Sequence, residues 1–186
     1  DSPLDTVNSA GLHPGVTSDV VVVEWNDEAG LRAAFERHGS ELAAAFAEGY
    51  VHSFGCVAAL PGFLETLREL CTQHGVLLVF DEVKTGFRAA LGGYQSVCGV
   101  TPDLTVFGKA IANGYSLAGL AGRNDFMGHL GAYTHDDATI DGTYNASPYA
   151  IAAANATLAL MQEENTISRI YALGERLRSG YTEAIA

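Results

Sequence analysis

The sequence predicts an α/β fold, a mostly parallel sheet covered by helices on both faces. Three observations lead there. Apolar runs of strand length alternate with segments of helical period along most of the 186 residues. Two runs, "VLLVFDEV" (76–83) and "LTVFGK" (104–109), are apolar almost throughout, as strands buried on both faces are. Both carry charged residues near their carboxyl ends, where ligands gather in open α/β sheets.

Residues 1–18, with Pro3, Gly11, Pro14 and Gly15, read as an irregular lead-in. "DVVVVEW" (19–25) is β-branched and long enough for a buried strand. In 27–39, Leu31, Ala34 and Phe35 fall at helical spacing, and Gly39 stops the run. "ELAAAFAEGYV" (41–51) is ambiguous: alanine favours helix, whereas its place between helices suggests a strand. The helix over 60–75 is the clearest, with Phe63, Leu64, Leu67, Leu70 and Cys71 on one face and Gly75 at its end. Strands follow at 76–83, 104–109 and 117–123, and helices at 147–164 and 166–186 close the chain. No repeat, low-complexity tract or linker interrupts the pattern, so residues 1–186 are expected to form one domain.

The net charge of −12, from 22 acidic and 10 basic residues, excludes a nucleic-acid or anionic-membrane partner, since both require clustered cations. It leaves small anionic ligands open. Cys56, Cys71 and Cys98 are odd in number and widely spaced, without a CxxC, so neither a zinc set nor a disulfide framework is expected. With no apolar run near the ~20 residues of a membrane span, the reading is a cytoplasmic protein with no membrane partner. The two N-x-[ST] matches, at Asn145 and Asn155, then read as chance. The six histidines show no metal-ligand spacing, and "THDDATIDG" (134–142) lacks the spacing of a calcium loop.

Asp81 ends one apolar strand and Lys109 another. "LLVFDE" has the form of the acidic strand of a P-loop nucleotide hydrolase, but no GxxxxGK[ST] lies upstream, which removes that reading. Asp81 is otherwise a helix cap, a loop carboxylate or half of a catalytic pair. Lys109 is one of only two lysines, the other being Lys84, while arginine supplies the remaining eight cations. A lysine that is not needed for surface charge is either solvated by accident or kept as an amine, and burial would favour its neutral, nucleophilic form.

The segment "GFLETLRELCTQHGVLLVFDEVKTGFRAALGGYQSVCGVTPDLTVFGKAIANGYSLAGLAGRND" (62–125) resembles the core of the class III, fold-type I pyridoxal-phosphate aminotransferases, and most of all the glutamate-1-semialdehyde aminomutase branch. "DGTYNASPYAIAAANATLALM" (141–161) resembles the family's phosphate segment and the helix after it. The resemblance implies pyridoxal 5'-phosphate as cofactor, Lys109 as its Schiff-base lysine and Asp81 as partner of the pyridine nitrogen, 28 residues apart as in the family. It implies that Val83 packs on one face of the ring, and that Thr143 holds the phosphate, usually that of the neighbouring subunit. A homodimer with a shared active site, or a complementary chain, would follow. The implied activity is transfer of an amino group of a small amino-acid or amino-sugar-type amine, as an aminotransferase or 1,2-aminomutase. Read alone, Thr143 is a turn residue after Asp141-Gly142.

Several positions depart from the family. Gly49 stands where proline is usual, Ser53 where ω-amino-acid transaminases carry a gating glutamate, and Lys84 where Gln or Met is common. Lys84 would meet the cofactor's phenolic oxygen, a substrate carboxylate or water. Arg88 and Arg123 are both candidates for a substrate carboxylate. "NASP" (145–148) replaces "SGNP", at the loss of a glycine. The upstream glycine-rich segment, the stacking aromatic and the C-terminal small domain are expected to be absent from this chain. The alternative reading is therefore a non-catalytic fragment, a pseudoenzyme or one chain of a split enzyme, serving dimerisation or cofactor binding.

Overall fold

The computed structural model describes residues 10–13, 15, 17–130 and 138–185. The elements run α1 (Glu28–His38), β1 (Ala44–Glu48), β2 (Tyr50–Val51), β3 (Val57–Ala58), α2 (Phe63–His74), β4 (Leu77–Glu82), α3 (Gln95–Cys98), β5 (Leu104–Gly108), β6 (Ala118–Gly122), α4 (Asn124–Met127), α5 (Pro148–Glu163) and α6 (Thr166–Ile185). A single 3₁₀ turn, Lys109–Ile111, follows β5 directly. The main sheet has the order β1-β4-β5-β6, with β1, β4 and β5 mutually parallel and β6 antiparallel to β5. The expected α/β architecture, a mostly parallel sheet flanked by helices, is present.

The period-two alternation of β4 sorts its residues. Leu78 and Phe80 face α2 and enter the core with Leu31 and Phe35 of α1 and Phe63, Leu64, Leu67, Leu70 and Cys71 of α2. Those five α2 positions are the apolar face that the sequence spacing predicts. Helix α2 ends at Gly75, whose left-handed φ of +71° lets its N–H reach the Cys71 carbonyl. Burial pushes the Cys71 thiol up to about 11, despite the pull of Arg68. The opposite parity of the sheet carries Phe46, which is 74% exposed, and Asp81.

Two expectations change. The ambiguous 41–51 segment resolves to strand at Ala44–Glu48 and Tyr50–Val51, the first because β1 finds a parallel partner in β4 along its whole length. The "DVVVVEW" run forms no strand: Val20, Val21 and Val22 are exposed, and the segment has no backbone ladder. A β-branched run becomes a strand only where a neighbouring edge accepts it. This one is anchored instead by Trp25, edge-on to Phe63 at 5.1 Å, and by Asn26, which donates to Ala58 O and accepts from Leu60 N.

Asp103, just before β5, is 4% exposed and ties three elements together. It accepts from Arg68 at 2.7 Å, Arg123 at 3.0 Å and the Leu78 N–H at 2.8 Å. Burial raises its pKa, but that N–H and the two guanidiniums outweigh it and hold the carboxyl below its ordinary range. No helix among the described residues is long and apolar enough to cross a membrane, and none of them form a cluster of three or more metal-ligating side chains.

Candidate active site

Asp81 and Lys109 lie at the carboxyl ends of adjacent parallel strands. Asp81 pairs in register with Val106, so Lys109 stands three residues further along, about 10 Å of strand rise. Asp81 is exposed, and its Oδ1 accepts the Val83 N–H at 2.9 Å. Val83 is half-buried on the same parity as Asp81. Its Cγ1 lies 3.8 Å from where a Cβ on Gly108 would sit, so Val83 and the residue before Lys109 are neighbours.

The backbone at Lys109 is unusual. Its φ is +48°, in the left-handed region that costs an L-residue roughly 1–2 kcal/mol. Phe87 (φ +60°) and Asn113 (φ +42°) share this property nearby. Strain of this kind persists where the surroundings over-determine it, and it gathers at functional sites. Lys109 is exposed in this chain, so the desolvation that the sequence reading attaches to a catalytic lysine is not built from these residues alone. It lines an open cleft of about 460 Å³ with Arg88, Asn113, Gly114, Tyr115 and Ser116.

Thr143 is not brought to this edge by any hydrogen bond among the described residues. It is exposed in the turn before α5, where the Gly142 N–H donates to Asp141 Oδ1 and the Asn145 N–H to the Gly142 carbonyl. Ala146, at the position of the missing glycine, has φ +52°. Of "THDDATIDG", residues 134–137 lie outside those described, as does His135.

The structure separates the two arginine candidates. Arg123 sits at the far end of the sheet, committed to Asp103 and to Asp125. Arg88 lines the cleft of Lys109, and its guanidinium donates to the Lys84 carbonyl at 2.8 Å. The Lys84 ammonium donates to the Ser53 hydroxyl in the β2–β3 turn. Gly49 is explained by its neighbour: a Cβ there would lie 2.1 Å from the Tyr94 ring, so neither proline nor alanine fits without moving it.

Sequence reasoning missed Glu82. It is 1% exposed and accepts from Thr85 Oγ1 at 3.0 Å, from the Tyr94 N–H at 2.6 Å and from the Gln95 N–H at 3.0 Å. It thereby clasps both ends of the 83–95 segment, which carries Val83, Lys84 and Arg88. Gly93, at φ +76°, lies so close that a Cβ would come within 2.5 Å of this carboxylate. The alternation that puts Leu78 and Phe80 in the core extends to Glu82 and was the available signal.

Residues 18–185 match the sequence pattern of the family described as Aminotransferase class-III. The chain belongs to that family. It is 40% identical to the glutamate-1-semialdehyde 2,1-aminomutase of Rhodopirellula baltica, over 97% of this chain and 41% of the relative. It is also 40% identical to the protein of that name from Nitrosospira multiformis, over 96% and 42%. Among solved structures, an omega-transaminase from Sphaerobacter thermophilus superposes with a TM-score of 0.89 at 35% identity, over 96% of this chain and 40% of that one. A transaminase with PLP bound superposes with a TM-score of 0.88 at 31% identity, over 95% and 42%. This class III chain thus spans about two fifths of the length of the relatives it matches.

Proposed function

We propose that the chain is the central part of the large domain of a pyridoxal-phosphate-dependent enzyme that transfers an amino group. The carrying observation is the placement of Lys109 and Asp81 at the ends of adjacent parallel strands, each without an ion-pair partner among the described residues. The residues fit the group. An exposed amine can hold its aldehyde carbon, and one strand away a carboxylate keeps an oxygen free for its ring nitrogen. Bound there, the cofactor supplies the sink for the electron pair left when a substrate Cα–H bond breaks.

The chain's own groups do the rest. Lys109 would hold the aldehyde carbon and, as a free amine, would move a proton between the substrate α-carbon and an acceptor carbon. Asp81 would face the ring nitrogen and help to keep a proton on it. Val83 offers an apolar surface to one ring face. Thr143 would offer a hydroxyl and an N–H to the phosphate, and its exposure in the turn before α5 supports service to a neighbouring subunit. The assembly is then a homodimer with shared sites, or this chain with a complementary one. Transfer between two molecules and transfer within one use the same residues, so the substrate is a small amino-acid or amino-sugar-type amine in either case. Three free thiols suit a reducing cytoplasm.

A second reading, a non-catalytic chain serving dimerisation or cofactor binding, draws on the two-fifths coverage of the relatives and on the exposure of Lys109. One experiment separates them. Protein incubated with pyridoxal phosphate should absorb at roughly 400–430 nm, and borohydride should abolish that band and leave a stable label on Lys109. Lys109→Ala should lose both band and label. An unlabelled Lys109 in the wild-type chain, or a label carried by Lys84, overturns the assignment.

A further inference from the structure

We infer that Asn113-Gly114 is a self-modifying site, at which the glycine nitrogen displaces the asparagine's amide and leaves a carboxylate in the cleft of Lys109. Asn113 is the only asparagine in the sequence followed by glycine. Glycine matters because it has no side chain to crowd the approach of its nitrogen. The structure leaves both reacting groups open. Asn113 and Gly114 are exposed, and a Cβ on Gly114 would meet no atom within 4 Å. Among the described residues, neither the Asn113 carboxamide nor the Gly114 N–H has a hydrogen-bond partner. The two are the centre of a turn with φ of +42° and +116°, closed by one bond from the Tyr115 N–H to the Ala112 carbonyl at 3.2 Å. Other asparagines are tied down. The Asn26 side chain is bonded to Ala58 and Leu60, and Asn155 lies within α5.

The reaction needs only water. The Gly114 nitrogen loses its proton and bonds to Cγ of Asn113; the Cγ–Nδ2 bond breaks, and ammonia leaves with that proton. Water then opens the cyclic imide. Opening at the Cγ carbonyl gives aspartate, and opening at the backbone carbonyl gives isoaspartate. One water is consumed, one ammonia is released, and nothing is oxidised or reduced. Arg88 and Lys109 line the same cleft, without an ion-pair partner among the described residues. Positive charge nearby favours both the ionised nitrogen and the anionic intermediate, so the cleft that receives the carboxylate also promotes its formation. The product stands close to Lys109, whose carbonyl accepts the Asn113 N–H at 3.2 Å. A negative charge there opposes a phosphate-bearing cofactor. That consequence rests on the amino-transfer reading, whereas the modification itself does not.

Peptide mass spectrometry tests the site. The protein is incubated in mildly alkaline buffer made with heavy-oxygen water, then digested with trypsin in ordinary water. Peptide 110–123, whose only asparagine is Asn113, should gain a heavy carboxylate oxygen about tenfold faster, or more, than peptides carrying Asn26 or Asn155. Asn113→Gln should abolish the gain, because ring closure through the longer side chain is slow. Asn113→Asp builds the product directly and should weaken pyridoxal phosphate binding about threefold to tenfold, the size of one added charge a few ångströms away. Circular dichroism melts confirm that both variants fold. The inference is overturned if Asn113 keeps its amide, or converts no faster than Asn26 and Asn155. It is equally overturned if Asn113→Asp binds pyridoxal phosphate as the wild type does, which would put the new carboxylate outside the cleft. An unlabelled Lys109 after borohydride sinks the amino-transfer reading alone, and the mass gain at Asn113 is read regardless.

Discussion

The two ends of the same sheet treat charge in opposite ways. At the amino end of β4 and β5, Asp103 is buried under Arg68, Arg123 and the Leu78 N–H, and every charge has a partner. At the carboxyl end, Asp81, Lys84, Arg88 and Lys109 stand without ion pairs among the described residues. A buried charge is expensive to leave unpaired, so the closed end reports on folding. Charges left unpaired at an open edge contribute little to folding and stay available to a ligand. The contrast makes a ranking: substitutions at the closed end cost stability, and those at the open end cost binding and chemistry.

The largest effect is expected from Asp103→Ala. It strands the Leu78 N–H and frees two guanidiniums, one of them largely buried in α2's packing, and should cost about 3 kcal/mol in urea unfolding. The same group sets a pH dependence. Its folded pKa lies below the ordinary 3.8, so its contribution is complete above that value and is lost as the pH falls through the folded pKa. Wild-type stability should therefore drop in that acid window, and the Asp103→Ala protein should show a shallower drop. Equal slopes would remove Asp103 from the account.

Glu82→Gln comes next. The amide replaces one acceptor oxygen with a donor, which must face either the Tyr94 or the Gln95 N–H, at a cost of about 2 kcal/mol. Hydrogen exchange should quicken first at Tyr94 and Gln95. Uniform loss of protection would mean that Glu82 supports the core and not the 83–95 segment. Glu82 belongs with the closed end in energy, although it lies one residue from Asp81. Strand alternation is the reason, since neighbouring residues on β4 look onto different worlds.

That alternation also marks how much the sequence discloses. The strands β4 and β5, the α2 face and the placement of Asp81 and Lys109 at strand ends are local patterns, so single segments reveal them. The Asp103 knot joins residues 68, 78, 103 and 123, and only the folded chain brings them together. The valine run at 20–23 misleads for the same reason, because its strand propensity needs an edge that the fold does not offer. Arg88 and Arg123 look equivalent in the sequence, and the antiparallel turn of β6 is what carries Arg123 to the wrong end.

A smaller effect of opposite sign is expected in the turn before α5. Ala146 holds φ +52°, where glycine avoids the Cβ clash at some entropic cost in the unfolded chain. Ala146→Gly should stabilise the protein by up to about 1 kcal/mol, measured as a rise in Tm. A fall in Tm would show that the surrounding turn, and not the residue, bears the strain.

The smallest effect on folding is expected from Asp81→Asn, and that smallness is the sharpest test of the contrast between the ends. The side chain is exposed, and the amide keeps the oxygen that accepts the Val83 N–H, so stability should stay within about 0.5 kcal/mol of wild type. What changes is the charge that would keep a ring nitrogen protonated. The variant should melt with the wild type and still carry the borohydride label on Lys109, yet exchange the substrate α-proton far more slowly. A variant that loses stability instead would place Asp81 among the structural carboxylates with Asp103. One that exchanges the proton as fast as the wild type would remove Asp81 from the proposed site.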